Sequence, residues 1–278
     1  MICVRLAVAA YLLSFGLFAG PSALAEPAPA PRPVAQAQPE LGIPAVLDRP
    51  ADLLEDTRMW RDRLLAVFDE GVLSDEAKRE RGIVKWTKPV DVSIRGDAAD
   101  RHAEALYDLL DELSALTGVT TDLHVNQNWA GDIDIYITDL DFYRPFFLTS
   151  DHSGKELFTC AAMPWHQDGV LRRSTIKINA GAVGDVTAWA CVLEEVVQSF
   201  GLMGEVDGET DTILHDGIGY AHLGIVDRVL IRTLYDARLR PGMSRQHALP
   251  VAREIIGEQL KRVQCTARSA RAPRRCIL

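Results

Sequence analysis

Residues 187–202, TAWACVLEEVVQSFGL, constrain the fold more than any other segment of the chain. With 3.6 residues per turn, a helix of this sequence is apolar around most of its circumference. The exceptions share one narrow stripe, which consists of Thr187, Cys191, Glu194, Glu195 and Gln198. A helix this apolar needs a protein core to bury it, so its polar stripe faces either bulk water or a cleft. If it faces a cleft, Glu194, Glu195 and Gln198 are candidate binding residues.

The first 50 residues have the composition of an export signal followed by a linker. Residues 1–25 contain one early arginine, an apolar run over 6–18 and a small-residue cleavage motif that ends at Ala25. That run is shorter than the roughly 20 residues that a transmembrane helix needs. Residues 26–50 are rich in Pro and Ala, which is typical of a flexible linker. We therefore expect a periplasmic or secreted protein without a transmembrane segment in the mature chain; an uncleaved N-terminal anchor is the alternative.

The charge of the chain argues against a nucleic-acid partner. The sequence has 30 basic and 39 acidic residues, a formal net charge of −9, and loss of Arg5 with the signal peptide makes it −10. Binding to phosphates requires a basic surface. After Glu258 the balance reverses, with six basic residues and no acidic one. We therefore divide the remainder into a single domain, residues 51–264, and a basic C-terminal tail, residues 265–278.

Four cysteines remain after signal cleavage: Cys160, Cys191, Cys265 and Cys276. An even number in an exported protein favours disulfides, and no C-x-x-C spacing indicates a metal site. Spacing leaves three connectivities open, of which we favour Cys160–Cys191 with Cys265–Cys276. The first pair would tie the helix of residues 187–202 to the segment before it.

The periodicity of the chain predicts an α+β fold. Residues 97–117 form a long amphipathic helix for which Asp97 is a plausible N-cap, and Gly118 ends it. Residues 142–169 show no regular pattern. The other predicted helices are 52–72, 187–202, 218–235 and 247–263, and the predicted strands are 90–96, 121–127, 131–139 and 174–180.

The order of these elements, together with EExxQxxGL at residues 194–202, resembles the zincin metalloproteases. Their active-site helix carries HExxHxxGL, in which two His bind zinc and the Glu is the general base. The resemblance implies a mixed sheet backed by a long helix, a central helix of the active-site type and C-terminal helices. It places Glu194 and Gln198 at the ligand positions and Glu195 at the catalytic general-base position. The third ligand of the longer motif falls on Gly204.

These replacements predict a protein that binds rather than cleaves. Zinc prefers imidazole and thiolate ligands, which this motif lacks, so we expect neither zinc nor another cofactor. The predicted function is that of a non-catalytic pseudo-peptidase with a peptide, protein or envelope component as its ligand. The alternative is a hydrolase with an unconventional metal site made of Glu194, Glu195 and His215. A third possibility is a structural envelope protein whose polar stripe faces water.

Two adjacent carboxylates are costly to bury unless they are paired. We therefore expect either an arginine beside Glu194 or Glu195, or a raised pKa of one carboxyl group. The candidate partners are Arg172, Arg173 and Arg228.

A second resemblance is more specific. The segments KWTKPVDVSIRG, CVLEEVVQSFGL and DRVLIRTLYDARLRPGM, between Lys85 and Met243, together resemble the DUF2927 family of exported bacterial proteins. The function of that family is unknown, so the resemblance implies export and no particular activity.

Overall fold

The structure, a computed structural model, describes residues 57–138, 160–207, 211–215 and 219–271, with side chains as far as Arg262. The predicted signal peptide, the linker and the Cys265–Cys276 pair lie outside this description. All the elements below belong to one unit, Pro39–Leu278.

A five-stranded mixed sheet forms the centre of the domain. Its order is β2-β1-β3-β5-β4, in which β4 runs antiparallel to β5 and the other neighbours are parallel. The strands are β1 (Val90–Arg95), β2 (Thr121–Val125), β3 (Ile133–Thr138), β4 (Cys160–Gln167) and β5 (Val170–Asn179).

Six helices accompany the sheet in the described part of the chain. They are α1 (Thr57–Val72), α2 (Ala99–Thr117), α3 (Ala180–Val183), α4 (Asp185–Gln198), α5 (Ile225–Tyr235) and α6 (Arg245–Arg271). None of the helices in these described segments is both long and apolar enough to cross a bilayer.

The alternation of side chains along the strands gives the sheet one apolar face. Ile94 pairs with Ile135, which pairs with Ile176, and all three side chains are fully buried. Helices α2 and α4 pack against the sheet and cover this core. The intervening residues of β1 and β3, among them Ser93 and Asp134, are polar and lie on the opposite face. Helix α4 therefore contacts both the sheet and α2.

The predicted α+β class is confirmed, and three local predictions are corrected. Strand β4 lies within residues 142–169, for which the sequence predicted no regular element. The strand was missed because it is an edge strand that contains Pro164 and does not alternate cleanly between apolar and polar residues.

The other two corrections concern helix boundaries. Asp97 does not cap α2, which begins after Ala98 without a side-chain cap. Helix α5 begins at Ile225 rather than near 218. Gly118 ends α2 in the left-handed conformation, as predicted.

The first and last helices of the domain pack together. Helix α1 contacts α6, and the apolar side of α1 is buried, including Trp60 and Leu64. Arg253 of α6 donates a hydrogen bond to Asp62 of α1 at 2.6 Å. The C-terminal helix therefore completes the core on the side where the domain begins.

Candidate binding cleft

Helix α4 is fixed to the edge strand β4 by a disulfide. Cys191 of α4 is bonded to Cys160 of β4, with a Cα–Cα distance of 5.9 Å, and this confirms the first predicted pair. Cys191 lies on the polar stripe of α4, one turn before Glu194 and Glu195. The bond therefore turns this stripe towards β4.

The C-terminal end of α4 is also held from several sides. The indole Nε1 of Trp86 donates to the Ser199 carbonyl at 2.9 Å, and the Ser199 hydroxyl lies 2.7 Å from that of Ser174 on β5. The chain then turns at Gly201, which has a φ of 110°. A Cβ there would lie 2.2 Å from the Val84 carbonyl oxygen, so this position requires glycine. These contacts fix the orientation of the polar stripe.

A cleft with a volume of about 410 Å³ adjoins this stripe. Its residues come from three parts of the fold, the loop after α1, strand β4 and the region around the end of α4. Residues 75–81 contribute Asp75, Glu76, Ala77, Arg79 and Arg81; β4 contributes Ala162, Pro164 and His166; Gln198 and Met203 complete the lining.

Glu195 is the most perturbed acidic group beside this cleft. The residue is only 6 % exposed, and its Oε2 is buried without a hydrogen-bond partner. Burial and, to a smaller extent, the charges of Glu194 and Glu76 together raise the pKa of Glu195 to about 8, although a hydrogen bond from the Ala162 N–H partly opposes them. At neutral pH the carboxyl group is therefore mostly protonated and can donate a hydrogen bond.

The other two residues of the predicted cleft lie beside Glu195. Gln198 is 5 % exposed, and its Nε2 is 3.5 Å from Oε1 of Glu194. Both Glu195 and Gln198 are thus buried, which contradicts a stripe that simply faces water. Glu194 is only partly buried.

Two of the three candidate arginine partners are engaged elsewhere. Arg173 donates to Asp134 at 2.7 Å, and Arg228 donates to Glu112 at 2.6 Å. Arg172 is exposed on β5. The sequence predicted either an arginine beside Glu194 or Glu195, or a raised pKa of one carboxyl group. The pKa of Glu195 is raised, which agrees with the second of these predictions.

Sequence reasoning missed Arg81, a partly buried cationic residue that lines the cleft. Its Nε and Nη2 are buried and have no hydrogen-bond partner, while its Nη1 contacts the Met203 sulfur. Burial lowers the pKa of Arg81, and the charge of Asp75 partly opposes this shift. Arg81 belongs to the charged segment SDEAKRER, in which nothing distinguishes it from its neighbours. Only the tertiary packing shows that two of its nitrogen atoms have no hydrogen-bond partner.

The donor set at the end of α4 does not fit zinc. The three motif positions carry a carboxylate, an amide and Gly204, which has no side chain; a Cβ on Gly204 would lie 2.0 Å from the Glu70 carbonyl oxygen. No described group of converging metal-ligand side chains includes Glu194, Glu195 or His215. The described chain brings together one such group, Asp91, Asp122 and His124, whose ligand atoms lie within 4.8 Å of one another.

Comparison with known proteins places the chain in one family. No curated protein matches the sequence. The model of a family described as "Protein of unknown function (DUF2927)" matches residues 61–254, which is more than half of the chain and includes α4 and the loop that carries Arg81. The protein therefore belongs to the DUF2927 family.

Proposed function

We propose that the protein is an exported, non-catalytic peptide-binding protein of the cell envelope, with a zincin-like scaffold that lacks the zinc ligands. The observation that carries this proposal is the burial of Glu195 and Gln198 beside a cleft of about 410 Å³. Buried polar groups that adjoin a concave site are the usual hydrogen-bonding groups for a ligand.

The order of elements supports the scaffold. Strand β1 is followed by the long helix α2, then by the remaining strands of a mixed sheet, then by α4 and further helices. This is the order that the zincin resemblance implies, with α4 in the place of the active-site helix. The disulfide between Cys160 and Cys191 agrees with export to an oxidising compartment.

Strand β4 offers an extended peptide a surface to pair with. Among the described strands it pairs with β5 alone. The Ala162 N–H bonds to Glu195, so the backbone groups of Ala162 are directed away from β5. A peptide laid along this edge would gain main-chain hydrogen bonds and would pass over Gln198 and Glu195.

The state of Glu195 supports binding rather than hydrolysis. A general base must be ionised and must act on an activated water molecule, which a zinc ion supplies in the proteases. Glu195 is mostly protonated at neutral pH, and the residues at the ligand positions do not fit zinc. As a neutral group it would donate a hydrogen bond to a peptide carbonyl.

Retention of a peptide pool on immobilised protein tests this proposal. The protein is residues 26–278, purified from the periplasm without chelator or metal-affinity resin, and the pool is N-acetylated octapeptides of randomised sequence. Gln198→Ala should lower retention about tenfold, because one lost hydrogen bond in the site is worth about 1 kcal/mol or more. Gln259→Ala, which removes another buried glutamine from α6, is the matched control and should leave retention unchanged.

Two results would overturn the proposal. One is a pool that wild-type protein does not retain, or retains equally after Gln198→Ala. The other is about one equivalent of a transition metal in the wild type that disappears in Glu194→Ala/Glu195→Ala, which would establish the metallohydrolase alternative.

A further inference from the structure

We infer that Arg81 forms a carboxylate-binding subsite of the cleft and that it receives the free C-terminus of a bound peptide. This inference rests on the proposed function, since it identifies the class of peptide that the cleft would bind.

The geometry of the unpartnered atoms points to a carboxylate. Nε and Nη2 lie on the same edge of the guanidinium plane, and both are buried without a hydrogen-bond partner. Their two N–H groups are parallel and match the two oxygens of one carboxylate. The third nitrogen, Nη1, already contacts the Met203 sulfur. Unused hydrogen-bonding capacity therefore remains on the edge of Nε and Nη2, which is covered in the free protein and has to be uncovered when a ligand enters.

Among the described residues, no carboxylate is hydrogen-bonded to this edge. Asp75 is the acidic neighbour, and it is occupied by Arg79: its Oδ2 accepts from the Arg79 Nε at 2.8 Å, and its Oδ1 accepts from the Arg79 backbone N–H at 2.9 Å. A buried charged donor without a partner destabilises the folded protein, because it has lost its hydrogen bonds to water. A ligand carboxylate would remove this cost when it binds.

The surroundings favour a single negative charge over a phosphate. Asp75 and Glu76 line the same cleft as Arg81, and both would repel a dianion more strongly than a monoanion. Ala77, Pro164 and Met203 add apolar surface. Burial and, to a smaller extent, the nearby charge of Arg81 lower the pKa of His166, which favours a neutral imidazole that can share a hydrogen bond with the same carboxylate.

The position of Arg81 also suits a chain terminus. Residues 75–81 form one side of the cleft and β4 forms another, so a peptide that pairs with β4 would run beside Arg81. A carboxylate from an Asp or Glu side chain could reach the same edge, and the experiment has to separate the two sources.

The test uses two pools of N-acetylated octapeptides with the same randomised sequences, one with free C-terminal carboxylates and one with C-terminal amides. Both pools contain the same acidic side chains, so a difference in retention reports the terminal carboxylate alone. Wild-type protein should retain the free-acid pool about tenfold more strongly, because a bidentate charge-assisted contact is stronger than a neutral hydrogen bond.

Arg81→Gln should abolish this preference. Arg172→Gln is the matched control, because it removes one positive charge at an exposed residue of β5 and should keep the preference. Arg81→Gln should also fold at least as stably as the wild type, since it removes a buried unpartnered charge; circular dichroism checks this directly.

The outcomes separate the two proposals. Equal retention of the two pools by the wild type, with retention still sensitive to Gln198→Ala, would overturn the carboxylate subsite and leave peptide binding intact. Retention of neither pool would overturn both. A free-acid preference that survives in Arg81→Gln would assign the carboxylate to another residue and overturn the role of Arg81.

Discussion

Two buried carboxylates of this domain show how neighbouring groups decide the charge of a side chain. Burial alone would raise the pKa of Asp134, but hydrogen bonds from Ser93, Arg173 and the Gly131 N–H, with the charge of Arg95, lower it. Glu195 has one such donor and two acidic neighbours, and its pKa is raised. Asp134 is thus a carboxylate that holds neighbouring side chains through hydrogen bonds, whereas Glu195 is mostly neutral at pH 7 and can donate a hydrogen bond to a ligand.

Asp134→Ala should therefore be strongly destabilising. Its carboxylate accepts at 2.6 Å from Ser93 and at 2.8 Å from Arg95, and the variant would lose both of these buried hydrogen bonds. We expect a loss of about 3 kcal/mol in the free energy of unfolding, measured by urea denaturation. Asp122→Ala removes a carboxylate that is 76 % exposed on β2 and should change stability by less than about 0.5 kcal/mol. Similar values for the two variants would contradict this account.

The sequence contains enough information to find some of these residues and not others. Helical periodicity is a local property, and it grouped Glu194, Glu195 and Gln198 correctly on one stripe. It could not say which way that stripe faces, because the answer depends on β4. Arg81 could not be found at all, since its lack of partners results from contacts with residues distant in sequence, such as Met203.

At the scale of elements, the connection between α4 and β4 is what forms the cleft. The disulfide closes a segment with a sequence separation of 31, which includes β5 and α3. Trp86 and Gly201 then fix the far end of α4. The helix is therefore held at its middle and at its C-terminal end, beside a strand that pairs with β5 alone among the described strands.

Cys160→Ala/Cys191→Ala should lower the free energy of unfolding by about 3–4 kcal/mol, the loop-closure value for a segment of this length. Urea denaturation of the oxidised wild type and the variant measures the difference. A thiol reductant should destabilise the wild type by a similar amount and leave the variant unchanged. An effect of reductant on the variant would show that it acts on something other than this bond.

At the scale of the whole molecule, the order of helices and strands was predictable and the order of strands within the sheet was not. Each element has its own hydrophobic period, which is why most of them were identified from local sequence. Strand β4 was missed because Pro164 and the small residues before it give no clear alternation. Its position at the edge of the sheet depends on backbone pairing with β5, which the pattern of apolar and polar residues within β4 does not predict.

The buried ionisable groups give the molecule a characteristic dependence of stability on pH. Burial raises the pKa of Glu195 to about 8 and that of Asp227 to about 6, so the folded protein retains protons that the unfolded chain releases. Their stabilising effect is complete below the unfolded pKa values and is lost as the pH rises through 6 and then 8. Burial lowers the pKa of Lys85 to about 8, which increases stability again as the pH rises above 8.

The free energy of unfolding should therefore fall by a few kcal/mol between about pH 5 and pH 8, since one pKa unit corresponds to about 1.4 kcal/mol. It should pass through a minimum near pH 8. Urea denaturation at intervals of pH measures the curve. Glu195→Gln should remove most of the decline, and Glu104→Gln, an exposed control on α2, should not. A decline that persists in Glu195→Gln would show that Glu195 ionises normally.

The packing of α1 on α6 determines when the domain can fold. Every strand of the sheet and four helices separate these two partners along the chain. Trp60 and Leu64 of α1 therefore stay without their full apolar surroundings until the last helix has been synthesised. Such a long-range contact delays the completion of the core, because the closure of a long loop has to precede it. Packing of the core around α1 must therefore follow the synthesis of α6 rather than accompany that of the earlier elements.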